Sequence, residues 1–217
     1  MTAPYWSLPY LVSSVPILMI LTRTVQPASG AAGKSRVYYK SSLLFLLFWE
    51  GLAMVNLFLP MEQQLFSNLV NRLMFVSVSL VVFFFVLSSN YLQGIPTRLQ
   101  ILIAAIPPTL TVCLNLIDPF TTVFGAFGWQ GDISSPLLRY TWLTVTVAVL
   151  VWSLARLYLL RRRTFDPQIR TRLNYFVAGY LIACLSGTVV YLIADSGPEL
   201  SVVAVGISLA IAGAAFG

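Results

Sequence analysis

The sequence predicts an all-α protein, an integral membrane bundle of seven transmembrane helices with its N-terminus outside and its C-terminus cytoplasmic. Three observations predict it. Of the 217 residues, 58% are hydrophobic and only 9% are charged, and the mean hydropathy is +0.85, whereas a water-soluble domain carries about 25% charged residues. Seven runs are long and apolar enough to cross a bilayer: residues 8–25, 41–59, 65–89, 99–117, 137–160, 173–194 and 200–216. Finally, the basic loops all fall on one side, which the positive-inside rule makes cytoplasmic.

Taken in order, span one is the shortest and is punctured by Pro9 and Pro16. It lacks the basic start and small-residue cleavage site of a signal peptide, so it reads as a span. Arg23, Lys34, Arg36 and Lys40 separate it from span two, and Arg98 separates spans three and four. Arg161, Arg162, Arg163, Arg170 and Arg172 lie between spans five and six. The opposite loops hold Glu62, Asp118, Asp132, Asp195 and Glu199. Arg139, at the outer start of span five, is placed to snorkel to the interface. Tyr5, Trp6 and Tyr10 outside, and Tyr38 and Tyr39 inside, occupy aromatic-belt positions. Pro107-Pro108 should kink or break span four, because two successive backbone donors are lost. Asp166 can cap a helix that opens at Pro167. In spans six and seven, Gly179, Ala183 and Gly187, then Gly206, Ala210 and Ala214, recur every four residues and permit close helix packing, within the bundle or between protomers. The last run reaches the end of the sequence without polar residues, which predicts a truncated chain.

Two ionisable residues are expected deep in the membrane. Glu50 lies about 14 Å from the inner start of span two and Arg72 about 10 Å from the outer start of span three. In a hydrocarbon layer of ~30 Å these depths nearly coincide. A very short loop makes the two spans antiparallel neighbours, so Glu50 is expected to pair with Arg72, which offsets the cost of burying either charge. Asn68, Asn71 and Ser79 share a helical face with Arg72. That stripe either ties helices together or lines a ligand or proton site. The longest outer loop, 118–136, carries Asp118, Phe120, Phe124, Phe127 and Trp129, and its spaced aromatics suit a segment that lies on the bilayer or lids the outer halves of spans three to five.

Several function classes are excluded or disfavoured. With no histidine, no imidazole can ligate haem or metal or act as a general base. Phosphate loops, nucleophile elbows and zinc-protease motifs are missing. Cys113 and Cys184 both sit in apolar runs and read as small core residues. The +6 net charge flanks apolar runs, which points to anionic lipid and not to nucleic acid. No enzyme, metal or cofactor is therefore expected. A transporter is disfavoured, since no internal repeat is evident.

Seven spans and an outside N-terminus, with "LNLIDPFTTVFGAFGWQG" between spans four and five and "IRTRLNYFVAGYLIACLSGTVVYL" as span six, resemble the N-terminal seven-helix sensor region of bacterial and archaeal histidine kinases. The resemblance implies a prokaryotic, multi-pass protein of the cytoplasmic membrane that senses a signal or anchors a signalling protein. The chain departs from that family at its end, where no linker, dimerisation helix or ATP-binding domain follows, so the resemblance implies no kinase activity in this chain. The expected partners are the lipid bilayer and a homodimer or other membrane subunits. The alternative expectation is a structural accessory subunit of a larger respiratory, photosynthetic or transport complex.

Overall fold

The computed structural model describes residues 8–22, 30–117, 120–125, 128–167, 170–171, 173–174 and 177–178. Over these the chain forms helices α1 (Leu8–Thr22), α2 (Gly30–Phe58), α3 (Gln64–Leu92) and α4 (Arg98–Ile117), strands β1 (Phe120–Gly125) and β2 (Gly128–Ile133), and helix α5 (Pro136–Arg163). Helices α2 to α5 are each long and apolar enough to cross a membrane. Helix α1 has 15 residues, about 22 Å of rise. Helical backbone resumes at Pro167, where the Arg170 N–H donates to the Asp166 carbonyl at 2.9 Å. The expected spans six and seven lie outside the described residues, and with them Gly179, Ala183, Gly187, Gly206, Ala210 and Ala214.

The ends of α3, α4 and α5 fall within three residues of the expected spans. Helix α2 begins at Gly30, well before the expected residue 41. Lys34, Arg36 and Lys40 interrupt the hydropathy of that stretch without interrupting its helicity. Its first turns still present Ser35 and Tyr38 towards α3. Lys40 donates from Nζ to the Leu21 carbonyl at 3.2 Å, which places a cation on the exposed carbonyl end of α1.

Four expectations are corrected. The chain is mostly helical but not all-α, because residues 120–133 form a two-stranded antiparallel hairpin with Phe120 opposite Ile133 and Gly125 opposite Gly128. The Phe, Thr and Val residues of β1 favour extended, paired backbone. The Pro107-Pro108 pair lies inside an unbroken α4. The carbonyls that lose an N–H donor to the prolines are those of Ile103 and Ala104, while Thr109 and Thr111 return hydroxyl bonds to the Ala105 and Pro107 carbonyls just beyond, at 2.8 and 3.0 Å. Tyr10 is buried and meets Trp49 edge-on at 6.0 Å, so it is a packing residue and not a belt residue. Cys113 is exposed on α4, since its position turns away from the Ala104, Pro107, Thr111 and Leu114 stripe that faces inward.

Helix α3 is the hub. Its Val82, Val86 and Leu87 pack with Ala104 of α4 and Val149 of α5. Nearer the hairpin, Leu114, Phe120, Ile133 and Trp142 form a second cluster against Phe75. Phe75 lies 5.1 Å from the Phe120 ring and meets Trp142 edge-on at 5.3 Å. The Trp142 indole donates to Thr111 Oγ1 at 2.8 Å, tying α5 to α4. Replacing Trp142 with Phe keeps one aromatic ring in place but removes that bond and part of the indole's packing, so it should destabilise by about 1–3 kcal/mol. Trp142→Ala should cost about 3–5 kcal/mol through the cavity it leaves. Equilibrium unfolding in mixed micelles checks the ratio.

Candidate functional site

The site grows from the seam between α2 and α3. Ser35 donates to the Ser88 carbonyl at 2.8 Å and Ser88 donates back to the Ser35 carbonyl at 2.9 Å. Ser42 donates to the Val81 carbonyl at 3.2 Å. Asn56 and Ser67 meet at 2.9 Å, the Ser67 hydroxyl donating to Asn56 Oδ1. These contacts share one register: positions 35, 42 and 56 on α2 face 88, 81 and 67 on α3, in steps of seven or fourteen residues on both helices. A seven-residue contact period keeps one stripe of each helix on its neighbour and matches the shallow left-handed crossing common in membrane bundles. Serine and asparagine serve here because they are small enough to let the backbones approach and polar enough to bond across the gap.

The seam ends in a buried polar triad. Asn56 Nδ2 donates to Asn71 Oδ1 at 2.9 Å, and Asn71 Nδ2 donates to the Ser67 carbonyl at 3.0 Å. All three residues are at most 4% exposed. Strand β2 rests directly on this triad. A Cβ added at Gly131 would come within 2.3 Å of Asn71 Cγ, so only glycine lets the strand lie so close. Phe120 and Ile133, on the same face of the hairpin, are buried below it.

Glu50 lies within this region at 1% exposure. The seam register sets it level with Leu73, one residue from Arg72. Arg72 donates from Nε to Asn68 Oδ1 at 3.4 Å, and its guanidinium lies 5.9 Å from the Phe120 ring centre. The expected stripe therefore divides. Asn68 and Arg72 turn towards the hairpin, Asn71 turns into the seam, and buried Ser79 bonds back to its own helix at the Val76 carbonyl, 2.8 Å away. Of the loop aromatics, Phe120 is a core residue and Phe124 is 39% exposed. Trp129 pairs with Phe124 in the backbone ladder, while Asp118 and Phe127 lie outside the described residues.

A second polar cluster, at the far end of α3, was not anticipated. Ser89 and Ser153 share a 2.6 Å hydrogen bond, and Arg156 donates from Nη1 to Asn90 Oδ1 at 3.0 Å. The Arg156 guanidinium also lies over Trp152 at 5.1 Å. On the other flank Lys34 lies over Tyr91 at 5.7 Å, and Tyr38 stacks on Tyr91 at 5.2 Å. Both cations stand by the carbonyl end of α3, where the helix dipole favours them. The sequence signals were an arginine inside an apolar run one turn after Ser153, and the run Ser88-Ser89-Asn90.

Among the described residues, no group of three His, Cys, Asp or Glu side chains could hold a metal ion. No family model, curated protein or solved structure matches the chain. What the geometry can do is mechanical. The hairpin at one end is seated on the hydrogen bonds that fix the α2–α3 register, and that register runs to the basic end of the bundle.

Substitution at two glycines checks this. Gly131→Ala should push Asn71 out of the triad and destabilise by about 1–3 kcal/mol, as overpacking does. Gly51→Ala meets nothing within 4 Å, and in mid-helix should be neutral or stabilise by up to about 1 kcal/mol. The unfolding midpoint of Gly131→Ala should fall, and that of Gly51→Ala should hold or rise.

Proposed function

We propose that this chain is the membrane-embedded sensor and anchor region of a signal-transducing protein, without catalysis of its own. In this reading seven helices span the cytoplasmic membrane. The N-terminus and hairpin face outside, and the Arg161–Arg163 end faces the cytoplasm. One observation carries it: the hairpin rests through Gly131 on Asn71, and Asn71 belongs to the network that sets α2 against α3. A ligand or bilayer change that lifts the hairpin would thus act on helix register, and a change of register is felt at the basic end. The resemblance to histidine-kinase sensor regions supports the same reading.

Spin labels on the full chain in lipid nanodiscs test it, with Cys113 and Cys184 replaced and labels at Val123→Cys and Phe165→Cys. Both positions are open, at 66% and 99% exposure. Unseating the hairpin with Gly131→Ala should shift the label-to-label distances by on the order of 1–2 Å or more and change mobility at position 165. A hairpin that loosens while position 165 stays unchanged would leave the accessory-subunit reading. In intact cells, an impermeant maleimide should reach position 123 and not 165; the reverse pattern would invert the topology.

Glu50 and Arg72 are proposed to meet directly or through one water. Glu50→Gln and Arg72→Gln should each cost about 3–5 kcal/mol, and the double variant less than their sum. Additive losses in the double-mutant cycle would assign Glu50 another partner.

A further inference from the structure

We infer that the end of α5 carries a binding site for the phosphate headgroup of an anionic phospholipid, formed by Arg161 and Arg162 gathered around Tyr158. The Arg161 guanidinium lies 5.8 Å and that of Arg162 4.9 Å from the same Tyr158 ring centre. Arg162 also donates from Nε to the Tyr158 hydroxyl at 3.2 Å, and Arg161 donates from Nε to Asn174 of the following helix. Each arginine is thus held in place before any ligand arrives, and less side-chain freedom remains to be lost on binding. Two guanidinium groups drawn to one phenol repel each other, and an anion between them removes that repulsion while accepting charge-assisted hydrogen bonds from both.

The surroundings select a lipid. Tyr158 is 40% exposed and sits where the apolar part of α5 gives way to Arg161, Arg162 and Arg163. Towards the membrane interior the same face leaves Val151 exposed at 57%, with Ala148 and Ala155 open between turns. That face offers an apolar bed for an acyl chain directly above a phosphate clamp. Lys34, Arg36, Arg98, Arg163 and Arg170 are exposed at the same end of the bundle, so the wider field is positive. Diffuse attraction to an anionic leaflet is worth about fivefold per basic residue wherever it sits near the surface, whereas the clamp is a matter of place. The inference stands apart from the sensor reading, since an accessory subunit would bind the same lipid.

The test is lipid retention by the full chain, read by native mass spectrometry from micelles containing phosphatidylglycerol and phosphatidylcholine. The wild type should retain phosphatidylglycerol in preference. Arg161→Gln with Arg162→Gln should lose at least tenfold more of that preference than Arg163→Gln with Arg170→Gln, which removes the same charge away from Tyr158. Tyr158→Leu keeps every charge and should still lose several-fold, and its exposed position leaves folding intact. Equal losses in the two charge pairs, with no effect of Tyr158→Leu, would reduce the site to diffuse attraction and overturn the inference. So would inorganic phosphate binding to the clamp with no preference between the two lipids.

Discussion

Side-chain hydrogen bonds between α2 and α3 are the constraint on which the rest of the architecture hangs. Within a bilayer, no water competes for or completes a polar group, so serine and asparagine must find partners inside the protein. Here they find them across one seam, at a seven-residue period that fixes which stripe of α2 meets which stripe of α3. With that register set, α3 presents its Val82, Val86 and Leu87 stripe to α4 and α5 and its Phe75 to the hairpin cluster. A slip of one residue would rotate every one of these groups by about 100° and strand the asparagines in lipid.

The two ends of the bundle use this frame differently. At the hairpin end, contact is close and mostly neutral: a glycine against an asparagine, aromatic rings against one another, and the indole of Trp142 on Thr111, with the Arg72 guanidinium by Phe120. At the other end it is cationic and aromatic: Lys34 on Tyr91, Arg156 on Asn90 and Trp152, and Arg161 and Arg162 on Tyr158. The first kind of contact depends chiefly on shape. The second is sensitive to the lipid charge and ionic strength outside it. One end is suited to respond to what displaces a strand, and the other to the composition of a leaflet.

Much of the helical frame was legible in the sequence, because hydropathy over twenty residues measures what a bilayer demands. Helices α3, α4 and α5 end within three residues of the apolar runs. The failures lie where hydropathy is the wrong instrument. Residues 30–40 are helical but carry three basic residues, so they fell below an apolar threshold. The hairpin escapes the sequence pattern because Phe120, Phe124, Phe127 and Trp129 follow no period of two that would mark strands. The fixed rise per residue sets how far along its helix each of Glu50 and Arg72 lies, but not the direction in which a side chain points. Asn71 and Asn68 were placed on one stripe, yet they are three residues apart, about 60° around the helix, and that angle sends one into the seam and the other towards the hairpin. The heptad spacing of Ser35, Ser42 and Asn56 was visible from the start and would have located the seam.

The strength of the seam suits a helix pair that is ordered yet not locked. At least five side-chain hydrogen bonds cross it. Interhelical hydrogen bonds in membranes average about 0.6 kcal/mol, because the separated helices find other partners, so the crossing bonds together supply about 3 kcal/mol. These hydrogen bonds are thus of the same size as a perturbation worth about 1–3 kcal/mol, the usual scale of coupling between distant sites. Crowding Asn71 with a side chain at position 131 is a perturbation of that size, about 1–3 kcal/mol. The placement of Gly131 at that residue, and not against an apolar stretch of α3, is what links the hairpin to the register and not merely to the surface of the bundle.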